Sequence, residues 1–448
     1  MNGFLLMATG ALLLAGCERK ATSTSPVAVP QANTIAQTQT LDPLALILVK
    51  HEGENRVDIE IRKFQEQVRH GSNPTAALER LGWAYVAKAR ASFDPGYYLL
   101  AEKCADAIVA RQLESLEALL LRGHAMESMH RFKETEVIAR SLVAKRGLPF
   151  DFGLLGDSLM EQGKLDEAAN AYQHMVNLRP DLHSYSRIAH LRWLKGDVEG
   201  AAEAMQMAAH AASPLDAESA AWVYTRLSAY QSQLGAPAAA EQGLAAALEY
   251  QNDYAPALLL RGRQLLNQQK NPEAVEVLTR AAKLNPLPEY QWALADALRE
   301  AGRADEAAVV ETELRKHGAA ADERSFALFL ATRGDSPEAA LHLTERELET
   351  RQDIFSYDAL AWSLAAAGKI PEAQRAMDHA LAEGTEDARL FFHAAVIATR
   401  AGQTDAASQW LKKTAPLGHL LLPSERNYLQ NLVGSPQNHT AVALTHAN

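Results

Sequence analysis

The chain has 448 residues, 48% of them hydrophobic and only 6% aromatic, and its formal charge is −11. That length exceeds one ordinary compact core, so several domains or a repeat array are expected. The acidic balance and the lack of any Lys/Arg cluster argue against a nucleic-acid backbone as partner and against charge-driven adhesion to anionic lipid.

From the first residue, the pattern is that of an exported chain. Residues 4–16 read FLLMATGALLLAG. This apolar run is too short to span about 30 Å of hydrocarbon as a helix. It has the length of a signal-peptide core, and it ends in Leu14-Ala15-Gly16-Cys17. Leu, two small residues and then Cys resemble the lipobox of bacterial lipoproteins. The resemblance implies diacylglycerol on the Cys17 thiol, cleavage before Cys17 and acylation of the new amine, and several acyl chains together anchor stably. Met1-Asn2-Gly3 departs from the pattern by supplying no Lys or Arg. An ordinary cleaved secretory signal with an incidental cysteine is the alternative. Glu18 stands where an Asp would resemble an inner-membrane retention signal. The resemblance therefore implies a cell-envelope protein facing the periplasm, on the outer membrane in preference to the inner.

Residues 17–45 are rich in Ser, Thr, Pro and Gln and poor in large hydrophobes. Such a stretch cannot bury enough apolar surface to offset its ordering entropy, so it reads as a flexible tether. Residues 46–74 read as an N-terminal capping region, with a polar helix over 55–70. The second cysteine, Cys104, shares helical spacing with Leu100 and Ile108. It reads as a buried, inert thiol.

Beyond residue 75 one layout recurs. Residues 152–180 read FGLLGDSLMEQGKLDEAANAYQHMVNLRP, 258–286 read LLLRGRQLLNQQKNPEAVEVLTRAAKLNP, and 357–385 read YDALAWSLAAAGKIPEAQRAMDHALAEGT. Each has an apolar residue, a large–small pair three and four residues on, a further apolar residue, a Gly/Lys/Asn turn and then Glu-Ala. The turn glycines are Gly163, Gly196, Gly235, Gly302, Gly334, Gly368 and Gly402, and Gln269-Lys270 fills the one missing turn. Their spacing of about 34 residues, with this pattern, resembles the tetratricopeptide repeat, TPR. The resemblance implies an all-α fold, a right-handed TPR-like α-solenoid of about ten antiparallel helix pairs over residues 75–419. Residues 420–433 read as a C-terminal capping helix and 434–448 as a disordered tail.

The small slots carry a physical argument of their own. Gly82, Gly123, Gly156, Ala189, Ser228, Gly262, Ala295, Ala327, Ala361 and Ala395 recur on the first helix of each pair. A small residue there lets two helices approach closely. On the second helix the recurring small residues are Ala168, Ala201, Ala240, Ala274, Ala307, Ala339, Ala373 and Ala407. Asn271-Pro272-Glu273 and Ser336-Pro337-Glu338 read as N-cap, Pro and first-turn acid. Phe93-Asp94-Pro95-Gly96 reads as a long turn in the first pair.

The residue after each first-helix small slot should face the concave groove: Trp83, His124, Asp157, His190, Ala229, Arg263, Asp296, Leu328, Trp362 and Val396. Phe150, Trp193, Trp222, Trp292, Arg299 and Phe392 join them at helical spacing. Five of the six tryptophans fall in this set. Trp and Arg supply much of the energy of protein recognition. Packing in the core or between repeats stays open for the tryptophans, and a one-residue slip would return Trp193 to the core.

The chain has no HExxH, GxSxG, P-loop or GxGxxG motif, and no nucleophile or base declares itself. His124–Glu127 and His183–His190 sit at helical spacings, but two ligands do not make a metal site. The expectation is a binding module and not an enzyme, with no metal and no cofactor. It would hold a protein or peptide of the cell envelope as a scaffold, touching the membrane only through its lipid. The alternatives are glycan or small-ligand binding in a continuous tryptophan-bearing groove, or regulation of a peptidoglycan or outer-membrane assembly enzyme.

Overall fold

The computed structural model describes residues 42–434. The expected signal peptide, Cys17, most of the expected tether and the tail lie outside the described residues.

Among those residues there are 23 α-helices and no strand. α1 (Pro43–Ile47) and α2 (Arg56–His70) come first. Ten antiparallel pairs follow, each with a helix A on the concave side and a helix B behind it. They are α3 (Pro74–Ser92) with α4 (Gly96–Val109), α5 (Leu116–Ser128) with α6 (Phe132–Lys145), and α7 (Pro149–Met160) with α8 (Leu165–Leu178). Next come α9 (Leu182–Leu194) with α10 (Val198–His210), α11 (Ala217–Gln233) with α12 (Pro237–Tyr250), and α13 (Ala255–Asn267) with α14 (Asn271–Leu284). The last four are α15 (Pro288–Glu300) with α16 (Ala304–Ala321), α17 (Glu323–Arg333) with α18 (Pro337–Thr350), α19 (Ile354–Ala366) with α20 (Ile370–Leu381), and α21 (Ala388–Arg400) with α22 (Thr404–Leu417). α23 (Pro423–Gly434) ends the described chain.

The edge at residue 45, drawn between tether and cap, falls inside α1. Asp42 accepts the Leu44 N–H at 3.0 Å, and Ile47 is fully buried. Tyr85 and Gln65 donate to the Ile47 carbonyl at 2.6 and 2.9 Å, so the short helix is tied to the array by polar contacts that no local pattern announces.

Every A-to-B turn holds at least one residue in the left-handed region. It is glycine in seven pairs, and Phe93, His130 and Gln269 in the other three. The first pair has no long turn: α3 runs on to 19 residues and only three residues join it to α4. The eighth pair has two left-handed residues, Gly334 and Ser336. That extra residue moves the helix-B small slot by one, so Ala340 is buried where Ala339 was expected and Ala339 is exposed. Neither Asn271 nor Ser336 caps its helix through its side chain, and the Asn271 amide donates to the Glu300 carbonyl at 2.8 Å instead. The helix-A small slots are all buried. At Gly156 an added Cβ would lie 2.2 Å from the Tyr172 ring. Cys104 is fully buried, and burial pushes its thiol pKa up.

The solenoid winds tightly enough for its second turn to rest on its first. Arg351, after α18, pairs with Glu161 at the end of α7 at 2.6 Å, and the Gln352 N–H donates to the Glu161 carbonyl at 3.0 Å. One pair further along, Lys195 reaches Glu383 at 2.9 Å and the Thr385 hydroxyl donates to the Leu194 carbonyl. One more pair along, the His419 ring meets the Ser232 carbonyl at 3.0 Å.

Candidate ligand-binding chamber

Helix A of each pair presents its face to the superhelix axis, and the two turns use that face differently. In the second turn it is covered by α23. Asp296, almost fully buried, accepts the Ser424 N–H at 2.9 Å and the Ser424 hydroxyl at 2.6 Å, and pairs with Arg333 at 2.6 Å. Burial raises the Asp296 pKa despite these partners. The Trp292 indole N–H donates to the same Ser424 hydroxyl at 3.0 Å. Glu425, fully buried, pairs with Arg389 at 2.6 Å, and that guanidinium lies 5.4 Å over the Trp292 ring. Tyr428 sets its ring edge-on to Trp362 and Phe392, at 5.2 and 5.8 Å between centroids.

Trp292, Asp296, Trp362 and Phe392 therefore sit on the concave side but are closed over by the chain itself, each 2% exposed or less. Arg263 shares this fate, holding Glu289 at 3.1 Å and the Leu420 carbonyl at 2.6 Å. Arg299 is exposed and pairs with Glu311. The segment read as an end cap is thus the occupant of the second-turn groove. Trp193 is buried too, stacked on His190 and on Phe355 of the second turn, both at 5.5 Å, with its indole N–H on Gln233 at 2.9 Å. It joins turn to turn and does not line an open groove.

In the first turn the concave face encloses a cavity of about 750 Å³. The volume is within the range of small-ligand and peptide pockets. Five helices A, α3, α5, α7, α9 and α11, wall it. Arg90 at the end of α3 reaches across to Glu218 and Ser219 at the start of α11, bridging one side of this open-mouthed chamber. Six of the expected groove residues line it: Trp83, His124, Phe150, Asp157, His190 and Trp222. The expected groove set leaves out Tyr98 and Tyr172, which come from helices B, and Glu127, His183 and Arg187, which stand at helical spacing from His124 and His190 on the same helices A.

Asp157 is the most heavily bonded group. Arg187 grips it with two nitrogens, at 2.8 and 2.6 Å, and the Tyr172 hydroxyl donates at 2.8 Å. Burial pushes the Tyr172 hydroxyl pKa well up, and the Asp157 charge adds to it. Trp83 sits 5.4 Å from the His124 ring, and Phe150 meets His183 edge-on at 5.7 Å. Burial, helped by Arg90 and Arg187, holds the His124 pKa down to about 4. Burial and Arg226 hold His190 down to about 3. Burial also lowers His183. The chamber's imidazoles are therefore neutral at pH 7. Among the described residues no group of three His, Cys, Asp or Glu side chains is placed to hold a metal ion, and no helix is long and apolar enough to cross a membrane.

Comparison with known proteins agrees with this architecture. The tetratricopeptide repeat family matches residues 154–217, 259–322 and 359–418. No curated protein matches the sequence. Among solved structures, the chain is similar to one in the APC/C hetero-tetramer Cut9–Hcn1, with a TM-score of 0.44 and 13% identity, over 87% of this chain and 62% of that one. It is also similar to yeast Tom70, with a TM-score of 0.35 and 14% identity, over 87% of this chain and 96% of that one. A thermophilic TPR protein of Thermus thermophilus aligns with a TM-score of 0.35 and 15% identity, over 48% of this chain and all of that one. The chain spans under two thirds of the Cut9–Hcn1 chain it resembles. It is an all-α solenoid that carries tetratricopeptide repeats in three places.

Proposed function

We propose that this protein is a lipid-anchored scaffold of the bacterial cell envelope that captures a partner protein by a segment inserted into the first-turn chamber. The observation that carries the binding reading is the contrast between the two turns. The second-turn groove is filled by α23, while the first turn keeps a chamber walled by Trp83, Trp222 and Phe150. Aromatic walls around a few fixed polar groups are the usual make-up of a recognition site. The glycan alternative asked for Trp83, Trp292 and Trp362 along one continuous groove. Trp292 and Trp362 are 1% exposed beneath α23, which counts against it. The anchor rests on the Leu14-Ala15-Gly16-Cys17 pattern, and the periplasmic, outer-membrane address rests on it and on Glu18.

Two experiments test this reading. Cross-linking of the full-length protein in envelope membranes, followed by mass spectrometry, should give a partner that the Trp83→Ala/Trp222→Ala double variant loses while its circular dichroism stays native. Partners recovered equally with both would move the interface out of the chamber. Separately, Cys17→Ser should shift the protein from the membrane to the soluble fraction, and continued sedimentation with membranes would refute the lipid anchor.

A further inference from the structure

The charges in the chamber are unequal. Four carboxylates line it, Glu127, Asp157, Asp216 and Glu218, against two guanidiniums, Arg90 and Arg187. Asp157 is saturated by Arg187 and Tyr172, and Glu218 is paired with Arg90. Asp216 accepts the Ser219 N–H at 3.3 Å as the cap of α11. Glu127 stands apart. Its hydrogen-bonding neighbour among the described residues is the Ser128 hydroxyl at 3.5 Å, a long contact already committed to the His124 carbonyl at 3.0 Å.

We propose that the chamber is a receptor for one lysine or arginine side chain of a partner protein, with Glu127 as its counter-ion and Trp83 and Trp222 as the walls against its alkyl stem. This rests on the chamber being the site that receives a protein segment. An anionic group entering the chamber would meet surplus carboxylate. A neutral one would leave Glu127 protonated and gain no charge pair there. A cation pairs with Glu127 at a place where Arg187 and Arg90 are already spent on other acids. Indole faces add cation–π attraction and cover for the methylene stem.

The site also binds a proton when empty. Burial, together with Asp157 on α7 and Glu161 just after it, pushes the Glu127 pKa up to about 8, against the pull of Arg187 and Arg351. The other ionisable groups lining the chamber are Arg90 on α3, Tyr98 on α4, His124 on the same helix, Tyr172 on α8, His183, Arg187 and His190 on α9, and Asp216 and Glu218 at the start of α11. None of the imidazoles takes up a proton near pH 7, since burial lowers all three. Pairing Glu127 with a cation expels its proton. Affinity for a basic segment should therefore rise about tenfold from pH 6 to 7 and level off above about pH 8.

The test uses the full-length protein in detergent and a displayed library of random twelve-residue peptides. Wild type should enrich peptides bearing Lys or Arg beside apolar residues, and Glu127→Gln should still bind peptides but lose that preference. The best wild-type peptide, titrated by calorimetry in buffers of different ionisation enthalpy, should release close to one proton per site at pH 7. Glu127→Gln should release none and should bind about 10-fold or more weakly at pH 8.5. Enrichment without a cationic preference, or no proton release, overturns this inference and leaves the peptide-binding reading standing. If no peptide is enriched at all, that reading falls and this inference with it.

Discussion

Glu425→Ala is expected to free α23 from the concave groove, lowering its local opening free energy by about 3–5 kcal/mol. The carboxylate is fully buried and carries two tasks. It pairs with Arg389 at 2.6 Å and accepts the Leu422 N–H at 2.7 Å where the chain turns into α23. Removing it leaves a buried guanidinium facing Trp292 without its counter-charge, and removal of one partner of a buried pair is the expensive case. Because α23 is the last described helix, the loss is confined to its docking and cannot exceed the free energy of that docking. Hydrogen exchange of the 424–432 amides should speed up about a hundredfold or more, and Trp292 and Trp362 emission should shift to the red. Glu425→Gln keeps an acceptor for Leu422 and should fall between. Unchanged protection in Glu425→Ala would mean that Ser424 and Tyr428 alone hold the helix.

The pH dependence follows the same pair. Burial opposes ionisation of Glu425, but Arg389 and the Leu422 N–H outweigh it and hold its pKa below the ordinary glutamate value. A lowered acid pKa adds stability above the unfolded-state pKa, and that stability is lost as pH falls through the folded-state value. α23 should thus undock on acidification below about pH 4 and stay docked at neutral pH.

Gly196→Ala should cost much more stability than Gly302→Ala, although both glycines occupy the same kind of turn. Their φ angles are +79° and +75°, so an added Cβ brings the same left-handed penalty, about 1–2 kcal/mol. At Gly302 nothing lies within 4 Å of the new methyl. At Gly196 it would lie 2.4 Å from the Gly384 carbonyl oxygen, in the second turn. A main-chain oxygen cannot swing aside as a side chain can. Separating the turns there should add about 1–3 kcal/mol. Thermal melts of the two variants beside wild type decide it. Equal midpoints would show that the contact between turns yields without cost.

The helix pairs were legible in the sequence because their constraints are local. A small residue facing its partner helix, as at Gly156 under the Tyr172 ring, is demanded by two segments close in the chain. Trp292 and Trp362 were placed on helices A for the same reason. What covers them was not legible. Ser424 and Asp296 are 128 residues apart, and a helix beginning Pro-Ser-Glu reads the same as an end cap or as a groove occupant. Trp193 was misplaced by the same blindness, since its stacking partner Phe355 belongs to the other turn. The helix-B slot of the eighth pair slipped by one because Ser336 takes a left-handed conformation that its sequence does not advertise. Glu127 was singled out only beside His124 as a metal-ligand pair, because its place in the chamber comes from what it lacks.

The seating of the second turn on the first changes how such a chain comes apart. Helical repeats that touch only their neighbours melt like a row of dominoes, each with its own stability plus one interface. Here the Thr385 hydroxyl reaches the Leu194 carbonyl across 191 residues, and Arg351 reaches Glu161 over a similar stretch. Fraying from either terminus must break these ties before it can pass them. Unfolding is pushed toward a single cooperative step, and assembly must wait for distant segments to meet, which slows folding relative to an open array.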